Sequence, residues 1–100
     1  MREVKFTLNA EKSFDSIVNY IEKKWSLKEK ISFLKKFNKS VSVIILNPES
    51  FPLTEKNKIV RKCVVTKQTT IFYVFTSKEI TIVSVFDTRQ NPNKIKKDIK

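Results

Sequence analysis

The sequence predicts an α+β fold ordered β-α-α-β-β-β, a helical hairpin packed on one face of a small, mainly antiparallel sheet. Three observations lead there. Residues 59–66, 69–76 and 80–87 are β-branched and aromatic runs separated only by Lys67-Gln68 and Ser77-Lys78-Glu79. Ahead of them, apolar side chains recur at helical spacing and are interrupted by a capping signal at Ser26. At the start, residues 3–8 alternate between apolar and polar.

In that first segment Val4, Phe6 and Leu8 share one face and Glu3, Lys5 and Thr7 the other, the period of a half-buried strand. Asn9 is placed to cap a helix whose apolar face is Phe14, Ile17, Val18, Ile21 and Trp25. Ser26-Leu27-Lys28-Glu29 has the capping-box form, so a second helix starts there. Its apolar face reads Leu27, Ile31, Leu34, Phe37/Asn38, Val41 and Ile44/Ile45. Residues 41–46 are β-branched enough to pass for a strand, but they continue the helical period. Asn47-Pro48 ends the helix, since the residue before proline is pushed out of helical geometry. Residues 47–58 read as a loop. The last strand is apolar on both sides, with Ile80, Ile82 and Phe86 on one face and Val83 and Val85 on the other, which suits a central position in the sheet.

The 100 residues fit one domain over 1–92 with a basic tail over 93–100. With 40% hydrophobic residues the chain is too apolar for a disordered tail. A formal charge of +11 favours an anionic partner, although a lysine-rich proteome would also produce it. Glycine is absent, which excludes phosphate-cradling Gly loops. Histidine is absent as well, so no His-based acid/base catalysis or His-containing metal site can form. Cys63 is the single cysteine and reads as a small core residue. No apolar run reaches membrane-spanning length, and the start carries Arg2, Glu3 and Lys5 rather than a secretory core. The expectation is a cytoplasmic protein with no membrane partner.

Several segments in order carry a family resemblance: Tyr20-Ile21-Glu22-Lys23-Lys24-Trp25, the Asn47-Pro48 break, Ile59-Val60-Arg61, Ile71-Phe72-Tyr73-Val74, and Val85-Phe86-Asp87-Thr88-Arg89-Gln90-Asn91-Pro92. Together, over roughly residues 2–95, they are similar to the RelE/ParE superfamily of toxins from type II toxin–antitoxin modules. The resemblance implies a small basic toxin neutralised by a cognate antitoxin segment, acting without cofactor or metal. RelE-like members cut mRNA on the ribosome, and ParE-like members inhibit DNA gyrase.

Within that resemblance, Arg61 falls where ribonuclease members carry a basic residue on the second strand, and Arg89 where they carry an arginine after the last. These two are the candidate catalytic residues, expected to converge on a phosphate through their planar donor forks. Lys62, Lys67, Tyr73 and Lys94 are candidate contacts to nucleic acid or target. Plainer roles stand beside these. Arg61 can be an edge residue, Arg89 can pair with Asp87 or hold loop carbonyls, and Tyr73 can pack in the core with Ile71 and Phe75. Trp25 would close the hairpin or pack on the sheet. The chain also departs from the ribonuclease pattern. Thr70 stands where an arginine is common, Cys63 where a second basic residue is, and residues 93–100 contain neither Tyr nor His. The reading favoured is therefore a toxin with a ParE-like or non-standard mechanism. The alternatives are a ribosome-dependent mRNA endoribonuclease using Arg61 and Arg89 with Lys62 or Lys67, and an inactive basic binding domain.

Overall fold

A computed structural model describes residues 2–89. The elements are β1 (Glu3–Phe6), α1 (Leu8–Lys24), α2 (Leu27–Leu46), a 3-10 turn (Pro48–Ser50), β2 (Arg61–Val64), β3 (Thr69–Phe75) and β4 (Glu79–Asp87). They form a four-stranded sheet in the order β1-β4-β3-β2. β2, β3 and β4 are an antiparallel meander, while β1 lies parallel to β4. Parallel neighbours need a crossover, and the long connection through both helices and the meander supplies it. The order and class predicted from the sequence are those observed, including β4 as an inner strand.

The local signals explain most element ends. Ser26 Oγ accepts from the Glu29 backbone N–H at 3.1 Å, the serine half of the capping box. α2 runs without a break through residues 41–46 and stops at Asn47, ahead of Pro48. α1 begins earlier than expected. Its cap is Thr7 rather than Asn9, with Thr7 Oγ1 accepting from the Ala10 N–H at 3.1 Å. The same hydroxyl donates to the Val83 carbonyl at 3.1 Å, and the Thr7 N–H reaches Ile82 O at 3.0 Å. Thr7 thus ends the strand ladder and starts the helix in one residue. Leu8 leaves the strand pattern and is exposed. The sequence run over 59–66 is also trimmed, because Val60 is taken into a turn that pairs its carbonyl with the Thr54 N–H at 2.8 Å.

Both helices lie on one sheet face. Ala10, Ile17 and Ile21 of α1 and Phe33, Phe37 and Ile44 of α2 are buried against Cys63, Ile71, Tyr73, Ile80, Ile82 and Val85. Phe6, Phe14, Phe33 and Phe37 form a ring cluster, with Phe14 and Phe37 centroids 4.6 Å apart. Each such buried apolar side chain contributes roughly 1.5–3 kcal/mol. Two predicted faces need correction. The buried stripe of α2 centres on Phe33, Phe37 and Ile44, so Leu27 and Ile31 fall at and beyond its edge and stay exposed. Trp25, expected to pack, is 60% exposed.

The third correction is in β4. Phe72 pairs with Ser84 and Tyr73 with Ile82, so Val83 is an extra, bulged residue. The bulge reverses the alternation beyond it. Val85 joins Ile80 and Ile82 under the helices, and Phe86 moves to the opposite, open face.

Candidate functional site

The two candidate catalytic arginines sit at opposite ends of the sheet. Arg61 opens β2 and is in register with Tyr73, which puts both on the helix side. One nitrogen of its guanidinium, Nη1, donates to the carbonyls of Phe51 at 2.7 Å and Glu49 at 3.2 Å. The neighbouring Tyr73 hydroxyl donates to Pro48 O at 2.6 Å, and the Phe51 ring stands edge-on to Tyr73 at 6.3 Å. These bonds fasten the segment that leaves α2. Arg2 completes the fastening, with Nε on Thr76 O at 2.9 Å and Nη1 on Ile45 O at 3.3 Å, near the carbonyl end of α2. The guanidinium carbons of Arg2 and Arg61 both lie 5.7 Å from the Phe75 ring centre. Tyr73 is wholly buried, and burial pushes its hydroxyl up to about 12 against the opposing pull of the Arg61 cation.

Arg89 follows β4 and closes on Asp87. Its Nε and Nη2 donate to the two carboxylate oxygens at 3.0 and 2.7 Å, and its backbone N–H adds a bond at 2.9 Å. Thr69 Oγ1, in register across β3, donates to the same carboxylate at 2.7 Å. Burial alone would raise the Asp87 pKa. The hydrogen bonds from Arg89 and Thr69 outweigh it and hold the carboxyl below its usual range. The Arg89 guanidinium is raised in turn, first by Asp87 and further by Tyr20 and Glu29, which places it beside the helical hairpin.

The structure does not bring Arg61 and Arg89 together. Arg61 is level with Tyr73, whereas Arg89 lies past the pair Thr69–Asp87. Four residues along β3 span about 13 Å, with two strand spacings of ~4.8 Å across the sheet. Both guanidiniums are committed to partners within the fold, so one phosphate does not reach both as they stand. Tyr73 is core, as its plainer reading had it. Lys62 is exposed on the open face beside Phe72, and Lys67 is exposed in the β2–β3 turn, at the Arg89 end. Lys94 lies outside the described residues. Cys63 is buried, and its thiol is pushed up by burial, partly offset by a hydrogen bond with Ser40. Among the described residues no cluster of His, Cys, Asp or Glu could hold a metal ion.

The sheet face turned away from the helices holds an aromatic pair that sequence reasoning missed, Phe72 and Phe86, each only 8% exposed. Phe72 and Phe86 meet edge to face at 5.5 Å, flanked in register by Thr70, Ser84 and Lys62. The alternation places exposed Val64 on the same face. Thr70 therefore occupies the open face while Arg61 faces the helices. The same face carries the Lys5–Glu79 ion pair, at 3.1 Å, on the β1 side, while Lys62 and Val64 stand exposed at the β2 edge. The sequence signal for this pair was obscured by the Val83 bulge, since unbroken alternation assigns Phe86 to the helix side.

The comparisons with known proteins agree with this architecture. Residues 4–92 match the family model described as the ParE toxin of the type II toxin–antitoxin system, parDE. A search of the curated proteins finds no sequence match. Among solved structures the chain is similar to a chromosomal ParDE toxin–antitoxin system protein from P. aeruginosa, with 15% identity and a TM-score of 0.70 over 87% of this chain and 96% of that one. A chain of the E. coli DinJ-YafQ complex matches with 15% identity and a TM-score of 0.57 over 91% and 98%. The YoeB dimer from Staphylococcus aureus matches with 13% identity and a TM-score of 0.61 over 85% and 94%. At these identities the structural likeness speaks for the fold, while the family model spans nearly the whole chain. The chain belongs to the ParE toxin family of type II toxin–antitoxin systems.

Proposed function

We propose that this protein is the growth-inhibiting toxin of a type II module, held inactive by a cognate antitoxin, and that it acts by binding its target rather than by cutting RNA. The ParE-like target, DNA gyrase, is the favoured one. The observation that carries this reading is the composition of the open sheet face. Lys62 and Val64 stand exposed at its β2 edge, Lys62 in register with Phe72, and Thr70 stands where a ribonuclease would place an arginine. Arg61 and Arg89 are occupied as fasteners of loop carbonyls and of Asp87. The antitoxin partner is supported by the family match and by the solved ParDE and DinJ-YafQ systems that share the fold.

Induction in a host with and without the antitoxin tests it. The expected outcome is growth arrest relieved by the antitoxin, loss of plasmid supercoiling activity in gyrase assays, and intact mRNA. Val64→Ser or Lys62→Glu should weaken the arrest while leaving the helical core in place. Codon-phased mRNA cuts abolished by Lys62→Ala would replace this mechanism with the RelE-like endoribonuclease. Absence of any growth defect would leave an inactive basic binding domain.

A further inference from the structure

The tip of the helical hairpin has no part in the reading above, yet it presents the largest exposed side chain of the hairpin. Trp25 caps α1 and is 60% exposed, Leu27 opens α2 at 58%, and Ile31 is one turn further at 47%. None of the three is needed to close the turn. The N–H groups of Trp25 and Ser26 both reach Ile21 O, at 2.9 and 3.2 Å, and Ser26 Oγ caps α2. Lys23 and Lys24 in the last turn of α1 and Lys28 in the first turn of α2 flank the apolar tip. Of the two acids nearby, one is engaged. Glu22 is paired with Lys30 at 2.9 Å, and Glu29, exposed in the first turn of α2, is the one acid set among the three lysines. Lys23, Lys24 and Lys28 form no ion pair among the described residues.

We infer that this tip is an interfacial anchor for an anionic lipid surface. Indole and leucine at the front with lysines on the stems behind is the arrangement that sits at a headgroup boundary, the apolar groups below it and the ammonium groups among phosphates. Stacking on nucleic-acid bases would use Trp25 but leave Leu27 and Ile31 without a role. A folded protein would need a pocket cut to fit a projecting indole, whereas a lipid interface receives it without one. The contact is peripheral, because no helix of the described residues is long and apolar enough to cross a membrane. It is independent of the toxin mechanism, and either can fail without the other.

The chain has a single tryptophan, so Trp25 reports its own surroundings. With vesicles containing phosphatidylglycerol, Trp25 emission should shift to shorter wavelength and the full chain should co-sediment. Vesicles of phosphatidylcholine alone should do neither. Lys24→Gln with Lys28→Gln should lower association roughly 25-fold, at about fivefold per lysine. Leu27→Ser and Trp25→Ala, read by sedimentation, keep the charge and should each weaken it about tenfold. Their unchanged melting curves would show that the fold is retained. Sedimentation of these two variants equal to that of the parent would mean diffuse adsorption of a +11 protein and would overturn the proposal. So would unshifted emission on anionic vesicles, or a shift produced only by an oligonucleotide or polyglutamate.

Discussion

Arg61 and Arg89 are one residue type at two ends of one sheet, and they secure it by different chemistry. Arg61 donates to neutral carbonyls beside a buried phenol. Arg89 grips a carboxylate whose side chain is 1% exposed, while its own remains 23% exposed. A charge paired with a buried charge is costly to break, because the survivor is left uncompensated away from water. A charge donated to carbonyls can be removed with less damage, since water reaches part of what it leaves behind. The Arg89 end should therefore be the brittle one, and the two ends should fail at opposite extremes of pH.

Arg89→Ala is the strongest way to break the comparison. It strands Asp87 with Thr69 as its remaining side-chain donor and should cost about 3 kcal/mol. In a domain of this size that lowers Tm by roughly 15 °C. A loss no larger than that of Arg61→Ala would show that Asp87 recovers its solvation, and the contrast would disappear.

The pH dependence comes next. The folded state favours neutral Tyr73, whose pKa is about 12 against an ordinary value of 10.0. Its contribution is complete below pH 10 and is lost as pH rises toward 12, up to about 3 kcal/mol. Tyr73→Phe should remove that alkaline slope in denaturant titrations, while costing about 1 kcal/mol at neutral pH for the unpaired Pro48 carbonyl. Asp87 behaves in the opposite sense. Its folded pKa is depressed, so its contribution is present above the ordinary carboxylate range and is lost as pH falls through the lowered value. Asp87→Asn should flatten the acid limb and leave the alkaline limb unchanged.

Arg61→Ala should have the smallest effect, about 1 kcal/mol or a Tm change near 5 °C. Its signature should be local. Amide exchange should accelerate in residues 47–54, which Arg61 and Tyr73 hold, and stay unchanged at Thr69 and Asp87.

Much of this architecture was legible because it depends on local rules. The serine cap at Ser26, the Asn47-Pro48 stop and the three consecutive apolar runs each reflect a backbone preference a few residues long. Arg61, Lys62, Tyr73 and Arg89 were legible as positions of interest for the same reason, but their partners were not. Pro48 and Tyr73 are distant in sequence, as are Arg2 and Ile45, and no local pattern announces that their hydrogen bonds will form. The pairing of Arg89 with Asp87, two residues apart, was foreseeable as a plainer role. The third partner, Thr69, comes from strand register.

The residue order by itself determined the element types, their sequence along the chain, the central place of β4 and the absence of histidine chemistry. Those follow from periodicity, capping and composition, which act within a few residues. Tertiary structure decided which face each strand residue occupies. One bulged residue, Val83, sends Phe86 to the open face and Val85 to the core, because strand alternation has a period of two and one added residue inverts everything beyond it.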